Sequence, residues 1–246
     1  MDSIYLDNAA TTPVLPEVVE KMKDVLFTSF GNPSSIHSQG RTAKSLIENT
    51  RKSIAKELGA LPSEIIFTSG GTEGDNMVLQ GAVRGLGVET IITSKIEHHA
   101  VIHAVENLEQ SDDITVHYVQ VSRDGSPDLS DLERLLKHDD SKKLVSLMHV
   151  NNELGTICDL EAIGNLCRQN DALFHSDTVQ SIGHYRLNLQ ELPIDFAVAA
   201  AHKFHGPKGI GFVFIRKETC LQSLLFGGGQ ERGLRAGTES VHNIVG

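Results

Sequence analysis

Short apolar runs rich in β-branched residues recur along this chain, at 64–68, 90–93, 114–119, 144–149, 172–175, 195–199 and 210–215. They read as buried strands. Between them apolar residues fall at helical spacing: Ala43, Leu46, Ile47, Ile54 and Leu58, then Leu129, Leu132, Leu135 and Leu136, then Leu160, Ile163 and Leu166. Those stretches predict helices with one buried face. Alternation of the two leaves few architectures open, because parallel strands need crossover connections and helices fill that role. The expected fold is α/β, a mostly parallel seven-stranded sheet covered by helices on both faces. In such sheets ligands bind beyond the carboxyl ends of the strands.

Composition removes several classes of partner. The 246 residues carry 22 Lys and Arg against 32 Asp and Glu, a net charge of −10 that repels nucleic acid and anionic membrane, so neither is expected as a partner. Cys158, Cys167 and Cys220 form an odd, sparse set that suggests reduced thiols rather than a disulfide framework. Residues 1–7 contain no basic segment leading into a long apolar run, and no stretch approaches the length that spans a bilayer. A cytoplasmic location is expected. The chief anomaly is 226–238, FGGGQERGLRAGT, a loop with five glycines that reads as placed against something specific.

Three segments at strand exits carry candidate chemistry. Lys203, in AHKFHGPKG at 201–209, follows the run at 195–199. A lysine forms a Schiff base only through its neutral amine, which desolvation in a cleft favours. The bland alternative is a surface lysine beside a turn, and Lys208, between Pro207 and Gly209, reads as a turn residue. Asp177 follows the run at 172–175; there it would serve either as a helix N-cap or as the carboxylate that keeps a pyridoxal phosphate ring nitrogen protonated. The turn TSGGTEG at 68–74 precedes an amphipathic stretch, where glycines, the Thr72 hydroxyl and the free N–H groups of a helix start suit a phosphate. It matches neither a dinucleotide fingerprint nor a P-loop.

These segments, with EHH at 97–99 and VNNELG at 150–155, occur together with YLDNAATTP at 5–13, GNPSSIH at 31–37, HSDTVQSIG at 175–183 and GGGQERGLRAGTES at 227–240. In that order they resemble the cysteine desulfurases, a group of class V aminotransferase-type enzymes that use pyridoxal 5'-phosphate, and the resemblance runs over essentially the whole chain. It implies the large domain of the fold type I architecture. Residues 1–15 would be an N-terminal arm and 16–246 the cofactor-binding domain, ending where a small C-terminal domain would begin. By the same resemblance Lys203 holds the cofactor and shuttles the substrate Cα proton, and His98 stacks on the pyridine ring and assists proton transfer. Asp177 pairs with the ring nitrogen, Gln180 bonds the phenolic oxygen, and Asn152 contacts the substrate carboxylate. Gly71, Thr72 and His202 bind the phosphate, and Thr238 reaches the phosphate of a second copy across a homodimer interface. The implied reaction takes sulfur from L-cysteine onto an enzyme thiolate, releases alanine and passes the sulfur to an acceptor or scaffold protein; selenocysteine lyases share the same motifs.

The match also departs from the family. Relatives carry the sulfur-accepting cysteine on a mobile loop of the smaller domain, and Cys158, Cys167 and Cys220 do not stand in that context, so all three are expected to be structural. The 246 residues alone are accordingly not expected to form the catalytic persulfide. Ala200 stands where many relatives place a hydroxyl, and Gly74 where serine is common. Two competing readings are a noncatalytic binding module of the same fold and a zinc site at His99 and His103, which are spaced i,i+4 but have no third ligand in register. No metal is expected.

Overall fold

The computed structural model describes residues 4–219 and 221–246, so Cys220 and the first three residues of the proposed arm lie outside the described residues. Seven strands, β1 (Ile65–Thr68), β2 (Thr90–Thr93), β3 (Thr115–Tyr118), β4 (Lys143–Ser146), β5 (Leu173–Asp177), β6 (Phe196–Ala200) and β7 (Gly211–Ile215), form one sheet in the order β1-β7-β6-β5-β4-β2-β3. The strands from β3 across to β6 are parallel, and β7 alone runs against its neighbours β6 and β1. The mostly parallel sheet expected from the alternation of runs is therefore what forms. Helices α1 (Pro16–Thr28), α2 (Ser38–Glu57), α3 (Gly71–Leu86), α4 (His99–Ser111), α5 (Leu129–Leu136), α6 (Leu160–Gln169) and α7 (Val241–Val245) surround it.

Two strand ends differ from the sequence reading by more than one residue. The run at 144–149 stops as a strand at Ser146, because β2 ends opposite it at Thr93. Beyond that point Leu147 and His149 donate only to the carbonyls of His175 and Asp177 on the other side. Conversely, the run at 172–175 extends to Asp177, which pairs with Val198.

Successive residues of each strand face opposite layers, as a period of two requires. Ile65 and Phe67, Ala197 and Ala199, and Phe212 and Phe214 pack with α2, α5, α6 and α7. Ile66, Phe196, Val198, Val213 and Ile215 pack with α3 and α4. The approach of α3 is close: a Cβ on Gly74 would lie 2.7 Å from Val198 Cγ1 and 3.0 Å from Val213 Cγ2. That absence of room explains why glycine stands at 74.

The glycine-rich loop is fixed from inside. Glu231 and Arg51 are buried and joined by two bonds, Nη2 to Oε1 at 2.7 Å and Nη1 to Oε2 at 2.8 Å, and the Phe67 N–H donates to the same carboxylate at 2.7 Å. Arg51 also donates to the Ile65 carbonyl at 2.6 Å. One ion pair thus ties α2, β1 and the loop together, and it holds Glu231 at a φ of 44°, in the left-handed region that non-glycine residues seldom occupy. Removing one partner of a buried pair strands the other charge. Glu231→Ala is expected to cost about 3–5 kcal/mol of stability, read as a lowered urea midpoint, whereas Lys23→Ala, which breaks an exposed pair with Glu20, should leave the midpoint nearly unchanged.

Candidate active site

A cavity of about 250 Å³ opens at the carboxyl edge of the sheet, lined by Gly71, Thr72, His98, Asn152, Asp177, Gln180, His202 and Lys203. Eight of the nine site residues expected from the sequence therefore meet in one place. Parallel pairing is the cause, since the chain leaves β4, β5 and β6 on the same edge. Thr238 stands apart, exposed on the wall of a separate cavity with Phe30 and Pro33.

The start of α3 is shaped for an anion. Gly70 precedes it at φ 152° and ψ −172°, a conformation essentially confined to glycine. A Cβ on Gly71 would sit 2.9 Å from Val179 Cγ2, so a side chain there would collide with the opposite wall. The first-turn N–H groups have no partner within the helix, and the Thr72 hydroxyl and the His202 ring line the same cavity. Ala200 contributes only a buried methyl here.

Asp177 is the last residue of β5, no helix begins after it, and its Oδ1 accepts the Val179 N–H at 2.9 Å. The helix-cap alternative therefore does not hold. Burial pushes its carboxyl up to about 7 and the negative charge of Asp75 adds to this, while the Val179 N–H, His175 and His98 act in the opposite direction. His98 caps α4, its Nδ1 accepting the Ala100 N–H at 3.1 Å, which leaves Nε2 to carry the proton of the neutral ring.

Lys203 ends the single 3₁₀ turn Ala201–Lys203 that follows β6. Partial burial lowers its amine below the ordinary lysine range, and the charges of Asp177 and Asp7 pull it part of the way back. Its Nζ donates to the Ala9 carbonyl, which also accepts from Gln180 Nε2 at 2.8 Å. Thr12 secures this N-terminal segment: its N–H donates to the His202 carbonyl at 2.8 Å, and its hydroxyl accepts the His205 N–H at 2.7 Å. The arrangement thus offers an anion cradle, a buried carboxylate suited to a protonated ring nitrogen, and an amine biased toward its neutral, nucleophilic form. Those are the complementary groups for an aromatic aldehyde phosphate.

Asp75 also lines the cavity and was missed in the sequence reading. The available signal was its place on the apolar stripe of α3, three, four and seven positions before buried Val78, Leu79 and Ala82. Ala10, Met148 and Val179 complete the wall. His99 and His103 stack their rings at 5.1 Å on α4. Among the described residues no group of three or more His, Cys, Asp or Glu could hold a metal ion. No helix among them is long and apolar enough to cross a membrane.

Two consequences of burial are measurable. Asp75 and Glu97 are raised from 3.8 and 4.5 to about 8, so the folded chain keeps their protons after the unfolded chain has lost them, and stability falls as pH rises toward 8. His175 acts in the opposite sense, depressed from 6.5 to about 4, but only below pH 6.5. Without cofactor, unfolding free energy should therefore decline from pH 6.5 to 8, and Asp75→Asn should make the decline shallower in urea titrations. An unchanged slope would remove Asp75 from this account. Burial also raises the thiols, Cys158 to about 11 and Cys167 further. Neither should react with iodoacetamide near neutral pH in the folded chain, as peptide mass mapping will report.

Comparison with known proteins gives a consistent family. The family model "Aminotransferase class-V" matches residues 4–246. A cysteine desulfurase IscS from Dictyoglomus turgidum is 47% identical over 245 residues, covering 99% of this chain and 61% of its own length. A putative cysteine desulfurase IscS 1 from Bacillus subtilis is 46% identical over 249 residues, covering 100% and 65%. The chain thus spans somewhat under two thirds of the length of these curated relatives. Among solved structures, a NifS-like protein superposes with a TM-score of 0.95 at 42% identity, covering 99% of this chain and 67% of its own. SspA in complex with cysteine superposes at 0.94 and 38% identity, covering 99% and 70%. With the family model matching residues 4–246 and these relatives aligned over 99% or more of it, the chain belongs to the class-V aminotransferase family and has that family's pyridoxal phosphate-binding fold.

Proposed function

We propose that the cavity is the cofactor site of a pyridoxal phosphate-dependent cysteine desulfurase, which takes sulfur from L-cysteine as a protein persulfide and leaves L-alanine. The observation that carries this reading is the meeting of Lys203, Asp177, His98 and the Gly71–Thr72 helix start around one cavity. Relatives named as cysteine desulfurases, and a solved neighbour described in complex with cysteine, support the choice of substrate. When bound, the cofactor supplies an electron sink that weakens bonds to the substrate Cα and Cβ.

This chain's own groups then divide the work. Gly71, Thr72 and His202 hold the phosphate, and Asp177 holds a proton on the ring nitrogen. Gln180 would reach the phenolic oxygen and Asn152 the substrate carboxylate. Lys203 would hold the cofactor through its amine and carry the substrate Cα proton, and His98 would assist the proton transfer with its Nε2 proton. A thiolate attacks the substrate sulfur as the C–S bond breaks, so the sulfur moves to the thiol, the bond's electrons return to the amino acid skeleton, and no oxidant is needed. The raised thiols of Cys158 and Cys167 make them poor candidates for that nucleophile. Thr238 is assigned to the cofactor phosphate of a second copy in a homodimer; its distance from this chain's own cavity and the exposure of Phe226 and Phe30 support that placement. The sulfur is passed on to an acceptor or scaffold protein.

Added pyridoxal phosphate should give an absorption band near the visible edge, and borohydride should then fix the label on Lys203, as peptide mapping reports. Prior L-cysteine should reduce that label, because the amino acid competes with the Lys203 amine for the same aldehyde. Label spread over surface lysines would overturn the cofactor assignment, and undiminished label in the presence of cysteine would overturn the substrate.

A further inference from the structure

On β5, His175 and Asp177 are two residues apart and so face the same side of the sheet, toward α3. Asp75 of α3 lies opposite His175, with Oδ1 3.5 Å from Nε2, and neither atom has another partner. Both side chains are buried. On the far side of the imidazole, Nδ1 meets Ser146 Oγ at 2.9 Å across the β4–β5 register. Ser146, His175 and Asp75 therefore form a line beneath Asp177, and only Asp75 of the three lines the cavity.

Two proton arrangements fit this line. In one, Ser146 donates to Nδ1, and the Nε2 proton points to an ionised Asp75. In the other, a neutral Asp75 donates to Nε2, and the Nδ1 proton goes to Ser146. The first places a bare charge in a dry site, held by one long contact, beside two other buried carboxyl groups, Glu97 and Asp177, which costs several kcal/mol per ion by desolvation alone. The second buries no charge. Burial drives both titrating members the same way, the acid up to about 8 and the imidazole down to about 4.

We propose that Asp75 is a positioning residue: as a neutral acid it donates its proton to His175 Nε2, fixes the ring with Nδ1–H toward Ser146, and so leaves Asp177 free to be the anion that meets a cofactor ring nitrogen. This inference rests on the pyridoxal phosphate reading of the cavity. The groups that face the line are Asp177 from β5, Glu97 from the turn before α4, His98 at the α4 cap and Lys203 after β6. An ionised Asp75 is one of the causes that raise the Asp177 carboxyl and favour its neutral form. A neutral Asp75 removes that repulsion, and the His175 ring stays uncharged near Asp177.

The test begins with the chain free of cofactor. Nitrogen-15 NMR at pH 7 should show His175 neutral with its proton on Nδ1, assigned by loss of the signal in His175→Gln or, if that variant fails to fold, by correlation from the His175 backbone. A proton on Nε2, or an imidazolium, would overturn the proposal. Asp75→Asn replaces the acid O–H donor with an amide N–H, so the tautomer should persist and pyridoxal phosphate affinity should stay within about threefold. Asp75→Leu leaves Nε2 unpaired, so both tautomers should appear and affinity should fall about 5- to 100-fold. Equal losses in Asn and Leu would show that the charge of Asp75 is needed, and would also overturn it. Because the tautomer is read without cofactor, a chain that takes up no pyridoxal phosphate would defeat the functional reading while the NMR result still decides this one.

Discussion

Pairing of backbone N–H and C=O groups across the sheet is the constraint on which the rest of the molecule depends. Buried strands must satisfy their ladders, and five adjacent strands do so in parallel. Their carboxyl ends then share one edge: Thr93, Ser146, Asp177 and Ala200 finish together, and the segments that follow them bring His98, Asn152, Gln180 and Lys203 to the same rim. The antiparallel strand completes the alignment, since Gly211 is paired with both Thr68 and Ala200. A Cβ on Gly211 would lie 2.8 Å from Gly70 Cα, so the closeness of these two strand ends sets the phosphate turn against the lysine turn.

The second theme is electrostatic. Asp75, Glu97 and Asp177 are three buried carboxyl groups, the first and last of which line the cavity, each raised first by its own burial. Glu97 is secured by the Ser94 hydroxyl at 2.7 Å and the Met148 N–H at 2.9 Å. Asp177 has the Val179 N–H, while Asp75 has only His175. Such a cluster resists ionising all three acids at once, and a positively charged ring nitrogen would offset the charge of Asp177. Partial burial lowers the Lys203 amine below the ordinary lysine range, and the charges of Asp177 and Asp7 pull it part of the way back. The buried acids suit a cationic ring, and the lowered amine suits the nucleophile that Schiff-base chemistry needs.

The glycine-rich loop shows how a flexible sequence becomes a fixed structure. Five glycines between 226 and 238 give it no preferred path, yet the buried Arg51–Glu231 pair and the Phe67 N–H fix its centre. Arg235 adds a second tie, donating to Glu73 of α3 at 2.8 Å. Through Glu73 and Phe67 the loop is anchored on both sides of the phosphate turn.

Much of this was legible in the residues alone. The seven apolar runs read as buried strands, and their alternation with amphipathic segments implied a doubly covered, mostly parallel sheet with ligands at its carboxyl edge. Thr72, Asp177 and Lys203 stood out because a strand exit followed by glycines, an acid or a lysine has a local chemical meaning, and the resemblance carried by the ordered motifs implied roles for Gly71, His98, Asn152, Gln180, His202 and Thr238. What the sequence could not disclose lies between residues far apart in the chain. Asp75 and His175 are 100 positions apart and Arg51 and Glu231 are 180, and no local pattern says that either pair will meet or that the Ala9 carbonyl will reach Lys203. Local periodicity determines which face of an element is buried; which charged group lies opposite another within that buried space, and hence which proton each one keeps, is decided only when the layers pack and water is excluded.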